Sequence, residues 1–127
     1  MPVLEPPPGW RTARPGGSPH PHSSLAPRLA ALVRDEAGLA SPWVRCCALY
    51  GIAQLAERRR FAGVTRLTDA VAAALHADEP LVRETAAWTL SRLRPADLRE
   101  RLEPLALDAA DEVAPLARRL IQDATAR

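Results

Sequence analysis

The sequence has 127 residues, of which 47% are hydrophobic, which is enough for one domain and too few for a large multidomain enzyme. Its formal charge is only +2, because 17 arginines are nearly balanced by 15 acidic residues. A charge this small is expected to attract nucleic-acid phosphates only weakly. No stretch suits a membrane span or a signal peptide, and the adjacent Cys46 and Cys47 make no disulfide framework, so a cytoplasmic protein is expected.

The segment 1–23 is rich in proline, and most of the prolines of the chain fall at or before Pro27. The segment has no apolar period that could bury a face, which predicts a disordered or polyproline-II arm. Docking of residues 6–10 in an aromatic groove stays open, and so does a metal at His20 and His22, although no third ligand is in view.

Residues 24–127 change to a helical period, with apolar residues at three- and four-residue steps, which predicts six helices. In chain order we expect a first helix from Ser24 to Gly38, a second from Ser41-Pro42 to Arg58–Arg60, and a third over Val64–His76. A fourth helix should begin at Pro80 and a sixth should span Val113–Ala124. The fifth should begin at Pro95, and Pro104 should kink or shorten it. Two helices should bury matching apolar faces. These faces are Val44, Cys47, Ala48, Ile52 and Leu55 on the second helix, and Val82, Ala86, Leu90 and Leu93 on the fourth.

The helices repeat in pairs. The register that places Pro42 on Pro80 superposes Pro42-Trp43-Val44-Arg45 on Pro80-Leu81-Val82-Arg83, and it also aligns Tyr50 with Trp88. A second register, further along the chain, aligns Val82 with Val113. Three helical hairpins are therefore expected, each an A helix followed by a B helix.

The Pro-x-Val-Arg-x-x-Ala core with a preceding acid, residues 78–86, resembles the second-helix signature of HEAT repeats. The resemblance covers residues 25–124 and implies an all-α superhelix, an armadillo-type α solenoid of about three hairpins. It also implies structural roles for Asp78, Arg83 and Arg45, since the turn Asp and the helix Arg form a ladder between repeats in that family. Ala40 and Ala114 depart from the pattern, so the ladder is expected to be partial.

Residues 43–50 and 82–88 are similar, more narrowly, to the HEAT segments of bacterial nucleotide-transporter-like and cyclic-nucleotide-binding membrane proteins. That likeness implies a regulatory domain belonging to, or associated with, such a membrane protein, without membrane insertion of its own.

The sequence offers little for catalysis. His76 is the one histidine of the helical body and lies at a helix end, where it favours the helix dipole. Cys47 is expected to pack in the core, which leaves Cys46 as the candidate reactive thiol. No phosphate loop, metal quartet or catalytic triad is suggested, so we expect no enzyme, no cofactor and no metal.

A surface stripe remains. On the B helices, large amphipathic side chains fall on a face turned away from the expected core, where interfaces favour Trp, Tyr and Arg. The candidate partner-binding residues are Trp43, Cys46, Tyr50, Gln54, Leu81, Glu84, Trp88, Arg92 and Arg119. Packing of the aromatic residues between repeats is the competing interpretation.

These observations favour a non-catalytic scaffold or adaptor that binds a protein or peptide. The regulatory domain of a membrane protein and a HEAT-like nucleic-acid binder are the alternatives, the latter disfavoured by the balanced charge. The sequence leaves the oligomeric state open.

Overall fold

The computed structural model of the protein describes residues 21–35, 38, 40–58 and 64–126. Most of these residues lie in helices, and no strand occurs among them. The elements are α1 Pro21–Arg34, α2 Pro42–Arg58, α3 Val64–Ala74, α4 Pro80–Leu93, α5 Leu98–Leu102, a 3₁₀ segment Glu103–Leu107 and α6 Val113–Thr125. The expected arm up to residue 20, the cap side chain of Ser24, and Arg59–Arg60 lie outside what the structure describes.

Most predicted boundaries are confirmed. Ser41 caps α2, because its hydroxyl accepts a hydrogen bond from the Val44 N–H at 3.3 Å. Helix α1 begins at Pro21, ahead of the expected start at Ser24, and proline is well tolerated in a first turn. Pro104 shortens the fifth helix as expected, because the chain tightens into the 3₁₀ segment where proline lacks a backbone donor.

The helices contact near neighbours in chain order. Helix α1 packs on α2 and α3, and α4 packs on both α2 and α6. Helix α6 also covers α5 and the 3₁₀ segment, whereas no extensive contact joins α1 or α2 to α6 within the described residues. Three contacts join helices that are two apart along the chain, namely α1 with α3, α2 with α4, and α4 with α6.

The core lies between these rows of helices. Helix α4 buries Val82, Ala86 and Leu90 completely, as predicted. The predicted face of α2 was partly wrong, since Val44 is 43% exposed and Cys47 is also exposed. Within the described residues, α4 packs between α2 and α6, whereas α2 has a neighbour of this kind only in α4. Ala48 and Ile52 are buried as predicted, and Leu49 and Ala53 complete the buried face of α2.

Among the described residues, no helix combines the length and the apolar character that crossing a bilayer would require.

Candidate functional site

An aromatic pair spans the contact between α2 and α4. The rings of Tyr50 and Trp88 stack with their centroids 5.5 Å apart and their planes 11° from parallel. Beside them, the Thr89 hydroxyl donates to the Leu49 carbonyl at 3.2 Å, which fixes the two helices at this level. Tyr50 is 54% exposed and Trp88 is half-buried, so the pair presents apolar surface to solvent.

Arg92 extends this pair by one turn of α4. Its guanidinium lies 5.1 Å from the centre of the Trp88 ring and 3.2 Å from the Glu57 carboxylate on α2. A cation over an exposed ring contributes about 0.5–1 kcal/mol, and an exposed ion pair contributes ~0–1 kcal/mol. These contacts orient the side chains at the surface and add little to the stability of the fold.

Three more large apolar side chains are exposed in the first turns of α2 and α4. Trp43 is 72% exposed, and Val44 and Leu81 are exposed to a smaller degree. The Cys46 thiol lies 3.8 Å from the Leu81 carbonyl, so the two first turns are neighbours. We use the name aromatic patch for Trp43, Tyr50 and Trp88.

Cys46 and Glu84 are half-buried, so they are less exposed than the sequence suggested for partner-binding residues. The expectation for the two cysteines was wrong, because Cys46 packs against the core while Cys47 is exposed. Helix α2 turns Cys46 towards α4, which approaches it on that side. Gln54 lies in another place, in a shallow cleft of about 300 Å³ together with Leu29 of α1 and Arg58.

A larger cleft, of about 580 Å³, lies between α4, α5 and α6. It brings together Trp88, Arg92 and Arg119, three residues that the sequence had placed on one surface. We call it the α4–α6 cleft. Its walls also include Arg94, Arg99, Leu116, Leu120, Glu100 and Asp123.

Sequence reasoning missed several of these lining residues. Arg94 and Arg99 come from the α4–α5 turn and from α5, which lie off the B-helix stripe. Leu120 of α6 packs against the core and is half-buried, and it also lines the cleft. The signal available in the sequence was the apolar spacing of α6, in which Leu116 and Leu120 lie four residues apart on one helical face.

Arg83 links α4 to the turn before α6. Its guanidinium donates to both carboxylate oxygens of Asp108, at 2.8 and 3.0 Å, and to the backbone carbonyls of Ala77 and Asp78, at 2.9 and 2.8 Å. The hydrogen bond from Arg83, followed by one from the Ala110 N–H, lowers the pKa of Asp108. The same hydrogen bond raises the pKa of Arg83.

This contact corrects one detail of the expected ladder. Asp78 accepts from Arg83 through its backbone carbonyl, and the carboxylate partner is Asp108 in the next turn. Arg45 acts one hairpin earlier, where it donates to the Val33 carbonyl near the end of α1 at 3.0 Å. Arg45 therefore connects α2 to the end of α1, and Arg83 connects α4 to the turn before α6.

Within the described residues, no group of three or more His, Cys, Asp or Glu side chains is placed to hold a metal ion. His76 is exposed at the end of α3. The described part of the chain exposes aromatic side chains on α2, and it brings Trp88, Arg92 and Arg119 together in the α4–α6 cleft.

No family model matches the chain, and none of the curated proteins or solved structures compared with it does so either.

Proposed function

We propose that this protein is a non-catalytic adaptor of HEAT-repeat type, which binds a protein partner through the surface formed by α2, α4 and α6. The observation that carries the proposal is the aromatic patch, which leaves Trp43 72% exposed and Tyr50 54% exposed on α2, beside Trp88 on the neighbouring α4.

The helix contacts support stacked hairpins. In a solenoid each repeat contacts only its neighbours, and α2 packs on α4 and α4 on α6 without extensive contact between α2 and α6 in the described chain. A closed bundle would bring the first and last hairpins together. The hydrogen bonds from Arg83 to the next turn have the character of the inter-repeat ladder that the sequence resemblance implies.

The composition of the surface supports protein binding. Trp, Tyr and Arg dominate interface hot spots, because each can bury a large area and also make a polar contact. Here two Trp, one Tyr and two Arg, Arg92 and Arg119, lie along α2, α4 and the adjoining cleft. Trp43 in particular lacks the burial that would explain a tryptophan as part of the core.

The experiment is quantitative capture of partners from the native host by tagged wild-type protein and by Trp43→Ala and Trp88→Ala. Truncating a hot-spot residue costs about 2 kcal/mol or more, which is over tenfold in affinity. We expect both variants to lose the same captured protein while circular dichroism shows unchanged helicity. Leu107→Ala is the matched control, since Leu107 is 87% exposed and lies away from the aromatic patch and the cleft.

Equal capture by all four proteins would contradict the proposal. A separate titration with duplex DNA tests the nucleic-acid alternative. Submicromolar affinity at about 150 mM salt that falls steeply with added salt would favour that alternative over a protein adaptor.

A further inference from the structure

The first hairpin, α1 and α2, exposes apolar positions that the second hairpin, α3 and α4, buries. In the register that aligns the two hairpins, Leu32 falls on Ala70 and Val44 falls on Val82. Leu32 is 42% exposed and Val44 is 43% exposed, whereas Ala70 and Val82 are fully buried. The second hairpin has the first beside it, and within the described residues no helix packs on the other side of the first. An apolar surface is therefore left at this end of the stack.

Gly51 shows where a further helix could approach α2. It aligns with Thr89 of α4, whose hydroxyl donates to the Leu49 carbonyl of the preceding B helix. A Cβ atom at Gly51 would meet nothing within 4 Å, so the corresponding side of α2 is open. Trp43 and Cys47 are exposed and precede Gly51 at four-residue steps, on the same stripe of the helix. We use the name end face for Leu32, Trp43, Val44, Cys47 and Gly51.

The opposite end of the stack is polar. Leu49 lies at the contact of α2 with α4, and both Leu49 and the aligned Ala87 of α4 are fully buried. The second register carries Ala87 to Arg118 of α6, which is exposed, as is Gln122 one turn later. A polar outer face of this kind is typical of a terminal solenoid repeat. Head-to-tail stacking of two copies would place the apolar end face on Arg118 and Gln122, so it is disfavoured.

The centre of the end face is free of charge. Helix α2 has no charged residue between Arg45 and Glu57, and the Arg45 guanidinium donates to the Val33 carbonyl of α1. On α1, Arg28 lies one turn before Leu32, which places its charge at the edge of the face. Because like charges directly opposite each other oppose association, an uncharged centre suits contact with an identical face.

The size of the end face also suits a pair of identical chains. Helix α2 has 17 residues, so the face is about 25 Å long, and two helices side by side make it about 20 Å wide. Complete coverage would bury roughly 500 Å² on each copy and about 1,000 Å² in all, the lower limit for a specific protein interface. A reversible dimer with a micromolar dissociation constant is therefore expected.

The sequence of residues 1–20 does not predict a helical hairpin that would cover this face. The segment has six prolines, and proline interrupts helices by removing a backbone donor. It is also shorter than either register of the repeat.

Resting on the stacked hairpins of the proposed function, we propose that the end face binds the end face of a second copy of this chain. A two-fold axis brings Leu32, Trp43 and Val44 of both copies into one contact. The stacked rings of Tyr50 and Trp88 lie at the contact between α2 and α4. The dimer therefore presents two such pairs to partner proteins.

Sedimentation equilibrium of the full chain between about 1 and 500 µM tests the proposal. We expect monomers at the low end, dimers at the high end and no larger species. Gly51→Arg should weaken the dimer at least about tenfold while the dilute protein keeps its helicity, because the added side chain extends into open space. Leu32→Glu should weaken it as well, since it places a carboxylate in an apolar contact. Gln122→Arg adds the same side chain as Gly51→Arg at the polar end, and it should dimerise within about twofold of wild type.

The exposed thiol of Cys47 gives an independent measurement. In a Cys46→Ser background, Cys47 should react freely with a thiol reagent at low micromolar protein concentration. Its rate constant should fall several-fold as the concentration passes the dissociation constant, because the dimer covers the end face. Adding Gly51→Arg should remove this dependence on concentration.

Any of four results overturns the proposal. They are a wild-type chain that stays monomeric up to about 500 µM, a dimer as strong in Gly51→Arg and Leu32→Glu as in wild type, open-ended oligomers that grow with concentration, and equal protection of Cys47 at every concentration. The last result would mean that residues 1–20 cover the end face within one chain. The adaptor function fails separately: a monomeric wild type from which Trp88→Ala removes a captured partner leaves the adaptor standing, whereas a dimer that captures no other protein leaves only the dimer.

Discussion

Arg83 on α4 and Asp108 in the turn before α6 form a two-point ion pair, with Nε to Oδ2 at 2.8 Å and Nη2 to Oδ1 at 3.0 Å. Their side chains are only 17% and 10% exposed, so solvent screens the pair weakly. The same guanidinium closes the α3–α4 turn through the Ala77 and Asp78 carbonyls. One side chain therefore joins two successive turns.

Removing this arginine should destabilise the fold measurably. Hydrogen bonds to charged groups contribute about 1.5–3 kcal/mol, and Asp108 would keep a desolvated charge without its partner. We expect Arg83→Ala to lower the free energy of unfolding in urea by roughly 2–4 kcal/mol. Arg99→Ala removes an exposed pair, 59% and 58% exposed, and should cost less than about 1 kcal/mol. Similar losses in the two variants would contradict this role.

The same pair predicts how stability depends on pH. Hydrogen bonding to Arg83 holds the pKa of Asp108 below its ordinary value of 3.8. A carboxyl whose pKa is lower in the folded state stabilises the fold above its unfolded pKa, and that contribution is lost as the pH falls through the folded pKa. The difference in unfolding free energy between wild type and Asp108→Asn should thus be constant above about pH 5 and shrink at lower pH.

Asp97 provides the comparison for that measurement. Its pKa is also lowered, chiefly by a hydrogen bond from Arg101, but its side chain is 52% exposed. The pH-dependent difference for Asp97→Asn should have the same sign and a smaller size. A larger effect at Asp97 than at Asp108 would show that burial does not set the strength of these pairs.

Val82 and Val44, which occupy equivalent positions in successive hairpins, should respond differently to the same substitution. Val82 is fully buried, whereas Val44 is 43% exposed. Val82→Asp would bury an unpaired carboxylate, which costs roughly 3–5 kcal/mol and approaches the stability of a small domain. Val44→Asp should cost less than about 1 kcal/mol. Thermal melts followed by circular dichroism measure both, and equal melting temperatures would contradict the described packing.

That contrast shows what the sequence could and could not supply. Helix number and most boundaries followed from apolar spacing, capping residues and prolines, because these act within a few residues. Whether Val44 is buried depends on which helices pack beside α2. The matching motifs of α2 and α4 do not indicate which of these two helices is flanked on both sides. Neighbouring helices determine which face of a helix is buried. The motif therefore predicted the burial of Val82 correctly and that of Val44 wrongly.

The contacts between turns were also hard to predict. The register that aligns Val82 with Val113 places Asp78 on Ala109, so the acid that receives Arg83 lies just before the aligned position, at Asp108. The α4–α6 cleft draws Arg94 and Arg99 from a turn and a short helix that the periodic stripe did not include. Trp88, Arg92 and Arg119 were grouped in advance because they share one helical face within successive repeats.

The two adjacent cysteines should differ in their reactivity towards a thiol reagent because their access to solvent differs. Cys47 is exposed, while Cys46 packs against the core with its thiol directed at the Leu81 carbonyl. We expect Cys46→Ser, which retains Cys47, to react with 5,5′-dithiobis(2-nitrobenzoate) several-fold faster than Cys47→Ser, since the half-buried thiol of Cys46 is less accessible to the reagent than the exposed thiol of Cys47. In about 6 M guanidinium chloride, where the helices unfold, the two variants should react at similar rates. A folded Cys47→Ser that reacts as fast as Cys46→Ser would contradict the placement of Cys46 at the contact between α2 and α4.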